Sequence, residues 1–230
     1  MKKARGLKIK HLLERYAARQ IIEKKSSDVN ATLEVVQVGE KTMLNSAHTN
    51  YSYGGLHRVF QKAFKALDLK ERNVGRTLIL GFGAGSVAAI IREELGIHCK
   101  ITAVENDAEV IRLGAKYFNT ARFQDLEIIE RDAADFIKHE SSLFDLIVVD
   151  VYIDFEVPES CQSMEFVRNI SKCLAPGGMS VYNKLIYNHH AGHEAEELEN
   201  KFRTLTGKTD VIKIRENIVN KLIVYYKSEV

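Results

Sequence analysis

The stretch Leu78-Ile-Leu-Gly81-Phe-Gly83-Ala-Gly85-Ser86 decides the fold, and Val104-Glu105-Asn106 places an acid twenty residues after its last glycine. It reads as a buried strand, a glycine-rich turn and a helix start, then a carboxylate at the tip of a second strand. Glycines without Cβ let backbone N–H groups come close to a ligand, and the helix start behind them adds positive potential. A carboxylate at the next strand tip accepts both hydroxyls of a ribose. The pattern points to a nucleoside-type ligand.

Outward from that stretch, strand and helix alternate. Strands are expected at 77–81, 100–105, 126–130, 144–150 and 179–184, and helices at 86–95, 107–118, 133–139 and 161–174. Leu146-Ile-Val-Val149 is apolar on both faces, as in a parallel sheet covered by helices on each side. A charged helix over about 192–206 precedes strands 210–215 and 221–227, close enough to form a hairpin with an antiparallel strand at the sheet edge. Upstream, 7–19 is loosely helical, and 20–26, 32–38 and 41–45 read as short strands, the last two joined across Gly39-Glu40. Leu56, Val59, Phe60, Ala63, Phe64 and Leu67 mark an amphipathic helix over 55–67. The expectation is an α/β, Rossmann-like fold with a seven-stranded, mostly parallel sheet. Residues 73–230 would form the nucleoside-binding domain, and 1–72 an N-terminal helix/β-hairpin appendage with a linking helix.

The chain has 230 residues, 45% hydrophobic and 28% charged, which suits one globular domain with a small addition. It has no apolar run near the ~20 residues that span a bilayer, and its start lacks an apolar signal core, so a cytoplasmic protein without a membrane contact is expected. Cys99, Cys161 and Cys173 show no CxxC spacing, which argues for buried thiols over zinc or disulfides. Residues 1–25 carry nine Lys/Arg against Glu14 and Glu23. Without interleaved aromatics or a recognised motif, this reads as a solvated segment, with no nucleic-acid partner expected. His189, His190 and His193 invite a metal, but a third ligand with supporting partners is not assignable, and no metal is expected.

Four signals fall in order at the carboxyl ends of successive strands, where open α/β sheets bind ligands. They are Gly81-Phe-Gly83-Ala-Gly85, Glu105, Asp132 in Glu130-Arg-Asp132-Ala133, and Asp150 in Val148-Val-Asp150-Val-Tyr152. A dinucleotide site prefers Gly or Ala at the third fingerprint position, which here is Ser86. The spacing suits a smaller adenosine derivative better.

These residues resemble a class I S-adenosylmethionine-dependent methyltransferase fold, and within it the spermidine synthase-like group. The resemblance runs from about Thr32 to Asn183. It rests on Asn50-Tyr-Ser-Tyr-Gly-Gly-Leu-His57, Leu78–Ser86, Ala103-Val-Glu-Asn-Asp107, Arg131-Asp-Ala133, Phe144–Asp150 and Leu174-Ala-Pro-Gly-Gly178. It implies that Gly81, Gly83 and Gly85 line the methionine end of the cofactor. It puts Glu105, with Asn106 beside it, at the ribose, Asp132 and Ala133 near the adenine, and Asp150 facing the reacting centre. It also implies a homodimer.

The chain departs from that group's pattern in three places. Ala84 stands where a GGGDGG-type loop has an acid, and Tyr53-Gly54-Gly55 replaces a Tyr-His-Glu-type run. After the fourth strand, Asp150 aligns with the first acid of a DSSDP-like run, while Asp154 falls one residue late. Attack by a cationic diamine wants a positioned base and acids for the distant ammonium, and two such acids are replaced. The leading expectation is therefore an S-adenosylmethionine-binding transferase that methylates a small-molecule acceptor. Asp150 and Tyr53 would be catalytic, with Tyr53, Tyr152 and Asp154 around the acceptor. One alternative is an aminopropyltransferase using decarboxylated S-adenosylmethionine, with Asp154 or Glu156 compensating. Another is a nucleoside-binding protein without catalysis.

Overall fold

A computed structural model describes residues 19–229 of the chain. The helical pattern of 7–19, apart from its last residue, and most of the basic segment lie outside these residues. Four strands come first: β1 (Arg19–Lys25), β2 (Leu33–Val38), β3 (Lys41–Asn45) and β4 (Asn50–Ser52), a sequential antiparallel sheet. The helix α1 (Gly55–Ala66) follows, burying Val59, Phe60, Ala63 and Phe64 as its spacing predicts.

The second sheet contains β5 (Arg76–Leu80), β6 (Lys100–Glu105), β7 (Leu126–Glu130), β8 (Phe144–Val149), β9 (Leu174–Ile186), β10 (Gly207–Arg215) and β11 (Val219–Lys227). Their spatial order is β10-β11-β9-β8-β5-β6-β7, so the order reverses at β5. The strands β8, β5, β6 and β7 pair in parallel, and so do β8 and β9, while β11 runs against both neighbours. The reversed strand thus lies one place in from the edge, and β10 folds back outside it.

Consecutive residues of β5 face opposite cores, as a period of two requires. Ile79 packs with Phe60, Phe64 and Ala88 on one face, and Leu78 and Leu80 pack with Phe136, Phe166 and Phe202 on the other. The connecting helices are α2 (Ser86–Ala89, continued by a wider turn over Ile90–Glu94), α3 (Ala108–Phe118), α4 (Ala133–His139), α5 (Glu159–Gln162), α6 (Met164–Cys173) and α7 (His189–Arg203). The single helix expected over 161–174 is broken at Ser163, whose side chain accepts the amide of Phe166 and caps α6. The last helix begins earlier than expected because Asn188 caps it, which places all three histidines on its first turns.

A third cluster joins the two sheets. Leu33, Val35 and Leu44 from the first pack against Ala84 of the turn after β5 and against Val110, Leu113 and Phe118 of α3, which covers the second. Polar contacts fix the angle. Asp107, 2% exposed, caps α3 through the amides of Glu109 and Val110 and also accepts from Ser27 Oγ and Asn30 Nδ2. Asp107→Ala removes a cap and leaves the buried Asn30 amide and the half-buried Ser27 hydroxyl without this acceptor, so urea unfolding should show a loss of about 2–4 kcal/mol. A loss within experimental error would mean that these bonds do not hold the sheets together.

Candidate functional site

The reversal of strand order opens a crevice at the carboxyl ends of β8, β5, β6 and β7, and the loops there enclose a cavity of about 200 Å³. The turn after β5 forms its floor. The amides of Gly81 and Phe82 both donate to Val104 O, at 2.9 and 3.0 Å. At φ +85° a Cβ on residue 81 would lie 2.3 Å from Asp150 O, and at φ +58° one on residue 83 would lie 2.7 Å from Ser52 Oγ. Glycine at both positions is what lets the turn fit between β8 and the N-terminal sheet.

Glu105 stands at the tip of β6. Its Oε2 accepts the Gly83 amide at 2.8 Å, and its Oε1 accepts the amides of Asn106 and Asp107 at 3.0 and 3.2 Å. Burial pushes its carboxyl up to about 6 against those amides, with the charge of Asp107 adding to the rise. Asp132 caps α4 by accepting the Asp135 amide at 2.9 Å, and Ala133 opens that helix, so its amide has no carbonyl to bond within the helix. Both line the cavity, as do Gly81, Gly83, Glu105, Asn106, Asp150 and Tyr152.

Asp150 follows β8, its amide donating to Leu80 O at 2.8 Å. Its Oδ1 accepts from Asn183 Nδ2 at 2.9 Å. Burial pushes this carboxyl up to about 7, and the nearby Glu105 charge adds to the rise while the Asn183 bond opposes it. The Tyr152 hydroxyl is occupied, donating to Asn183 O at 2.9 Å and accepting the Leu185 amide at 2.8 Å.

Three expected site residues stand elsewhere. Tyr53 does not line the cavity. Its ring stacks between Phe118 and His57, centroids 5.1 and 5.4 Å away, and its hydroxyl accepts from Arg122 at 3.1 Å. Its amide donates to Ser86 Oγ at 2.7 Å, which turns the side chain behind the glycine loop. Gly85 is also outside the lining, held beneath the rings of Phe82 and Phe123. Asp154 ties the β3–β4 loop to the loop after β8. It accepts from Ser46 Oγ at 2.7 Å, from the His48 amide at 3.0 Å and from His48 Nδ1 at 2.7 Å. Partial burial works the other way, but these bonds hold its pKa below the ordinary carboxylate value.

Two further lining residues come from outside the strand tips. Tyr51 comes from the N-terminal sheet, its hydroxyl 2.7 Å from Asn30 Oδ1 and 2.9 Å from Tyr152 O. Glu216 comes from the β10–β11 turn and lies beside Gly55, where a Cβ would be 4.0 Å from its own. An acid therefore does stand next to the position where the family pattern has one, although Arg58 and Lys62 both bond it. Ala84, by contrast, points into the cluster with Leu33 and Leu44, away from the cavity.

The methyltransferase-domain family profile matches residues 78–178. A probable polyamine aminopropyl transferase of Bifidobacterium longum is 25% identical over 189 residues, 78% of this chain and 41% of that protein. A probable spermidine synthase from Corynebacterium glutamicum superposes with a TM-score of 0.73 at 19% identity, covering 90% of this chain and 80% of that one. A spermidine synthase in complex with the transition-state analogue AdoDATO gives 0.71 at 15% identity, covering 92% and 75%. The chain has the fold of the spermidine synthase-like group of class I methyltransferases. The alignments span about two fifths to one half of the length of the first curated relatives. Those relatives carry aminopropyltransferase names, and this overturns methyl transfer as the leading expectation.

Glu105→Ala should weaken binding of 5′-methylthioadenosine about tenfold or more in calorimetric titration, since hydrogen bonds to a charged group are worth about 1.5–3 kcal/mol. Unchanged affinity would remove Glu105 from the ligand contacts.

Proposed function

We propose that this chain transfers the aminopropyl group of decarboxylated S-adenosylmethionine to an amine. The observation that carries the reading is the enclosed Asp150 carboxylate, whose pKa is pushed up to about 7. An alkylammonium releases its proton near ~10 and attacks carbon only once neutral. A base titrating near 7 is about half ionised at neutral pH and better matched to that proton than an ordinary carboxylate. The bound donor would supply an electrophilic carbon on a sulfonium, with a thioether as leaving group.

The residues divide the remaining work. Gly81, Gly83 and Glu105 would hold the nucleoside, with Asp132 and Ala133 at its base. Glu105, Asp132 and Asp150 give the cavity an excess of carboxylates over Arg131, which suits a cationic donor beside a cationic acceptor. Tyr152, its hydroxyl committed to the β9 backbone, shapes the wall and leaves proton transfer to Asp150. The acids missing from residues 55 and 84 would anchor ammonium groups away from the reacting nitrogen, the one at 84 the ammonium of the aminopropyl group itself, and proton transfer to Asp150 uses neither.

Asp150→Asn should abolish transfer, measured as 5′-methylthioadenosine release, and leave nucleoside affinity within about threefold. In the unsubstituted protein, kcat/KM should fall with one proton as pH drops through about 7. The stability sign is opposite. A raised carboxyl pKa favours the folded state at low pH and disfavours it above neutrality, so Asp150→Asn should raise the urea midpoint at alkaline pH. Full activity of Asp150→Asn, or a rate flat through neutrality, would contradict the proposal.

A further inference from the structure

The hydroxyl of Tyr51 has no part in the chemistry above. Tyr51 belongs to β4 and lines the cavity, and its ring packs against the cluster of Leu33, Leu44 and Ala84. The hydroxyl meets three polar atoms. Asn30 Oδ1 is 2.7 Å away and Tyr152 O 2.9 Å, and the Asp154 amide donates to it at 3.1 Å. One hydrogen therefore serves two oxygens, while a lone pair takes the amide. Burial pushes the hydroxyl above its ordinary pKa, so that hydrogen stays in place through neutrality. The segment held in this way is the one that leaves Asp150. The strand β8 ends at Val149, and Val151, Tyr152, Ile153 and Phe155 then line the cavity. Over residues 151–154 the main chain is bonded from outside its own loop, among the described residues, by two hydroxyls alone. They are that of Tyr51, at Tyr152 O and the Asp154 amide, and that of Thr49, 3.1 Å from Asp154 O. Asp154 is left-handed at φ +55°, a conformation uncommon outside glycine, and these bonds hold it there.

We propose that Tyr51 is a positioning residue for the transfer step, its hydroxyl holding the loop after β8 so that Asp150 meets the amine in line with the donor. The inference rests on the aminopropyl-transfer reading and adds a residue to it. The main chain of Asp150 is fixed to the sheet through its amide on Leu80 O. Two residues further on, Tyr51 supplies the second fixed point. Without the hydroxyl, Tyr152 O and the Asp154 amide lose their partner, the loop parts from the N-terminal sheet, and water reaches the carboxylate. Reacting atoms displaced by about 1 Å already forfeit much of the rate. The ionisable groups close to Asp150 are Glu105 from β6, Tyr182 from β9 and Tyr152 from its own loop, with Asn183 as its hydrogen-bond donor. Tyr51→Phe alters none of these, so a change in the titration of Asp150 reports its hydration. Asn30 provides the contrast. It is 5% exposed, it is tied to Asp107 through Nδ2 at 2.7 Å, and its Oδ1 competes with Tyr152 O for the same hydrogen.

The test is Tyr51→Phe, which keeps the ring and its packing. Its kcat with 1,4-diaminobutane should fall about tenfold or more, with affinity for 5′-methylthioadenosine held within about threefold. In protein made with carbon-13 aspartate, the Asp150 carboxyl is the signal absent from Asp150→Asn. In Tyr51→Phe it should titrate below its unsubstituted value of about 7, and the fall of kcat/KM on acidification should move to lower pH with it. Asn30→Ala should unfold at lower urea. It should nevertheless keep its rate within about threefold and its Asp150 titration unchanged, because Tyr152 O then has the hydrogen to itself. A full rate or an unmoved Asp150 titration in Tyr51→Phe would overturn the inference, as would equal losses of rate in the two variants. The carboxyl titration needs no turnover. A shift in Tyr51→Phe without transfer by any form would leave the hold on Asp150 standing and defeat the transfer reading. Transfer that Tyr51→Phe leaves untouched would do the reverse.

Discussion

An ionisable carboxylate enclosed with a second one in the same cavity is the constraint on which this site depends. Asp150 is raised to about 7 first by burial and then by the charge of Glu105, with Asn183 its opposing hydrogen-bond donor. A cationic ligand would relieve both penalties at once, which supports the proposal that the site takes up positive charge and exchanges a proton near neutrality. The strand order makes this possible. Because β5 lies between β6 and β8, the tips carrying Glu105 and Asp150 flank a single glycine turn.

The N-terminal sheet closes the cavity from above and belongs to the site. Tyr51 and His48 line the cavity, Ser52 Oγ accepts the amide of Ala84 at 2.8 Å, and Asp154 clips the β3–β4 loop to the loop after β8. Asp107 works on both sides, capping α3 and gripping Ser27 and Asn30. The packing of Ala84 against Leu33 and Leu44 gives a physical reason for losing the acid of the family pattern there. A carboxylate among those side chains would be buried without a partner.

Strand and helix positions were legible because each depends on a local period. The unbroken apolar run of β5, the amphipathic stripe of α1 and the glycine turn can all be read from neighbouring residues. So could the order of Gly81, Glu105, Asp132 and Asp150, since each lies at a strand tip. Long-range contacts were not legible. Tyr53 sits two residues from the lining residue Tyr51, and its left-handed backbone (φ +63°) and the bond from its amide to Ser86 turn it behind the loop. Asn183 and Asn220 come onto one face of the sheet through the register between β9 and β11, which no spacing in the sequence announces. The departures at Ala84 and Gly55 pointed toward methyl transfer because the reading could not place Glu216 beside Gly55. It also could not show Asp150 enclosed.

The account is tested most directly with decarboxylated S-adenosylmethionine carrying separate labels in its methyl and aminopropyl carbons, incubated with the protein and 1,4-diaminobutane. The aminopropyl label should appear in the amine and the methyl label in the released thioether, in equal amounts. Methyl label in the amine, or both labels retained in unreacted donor, would contradict it.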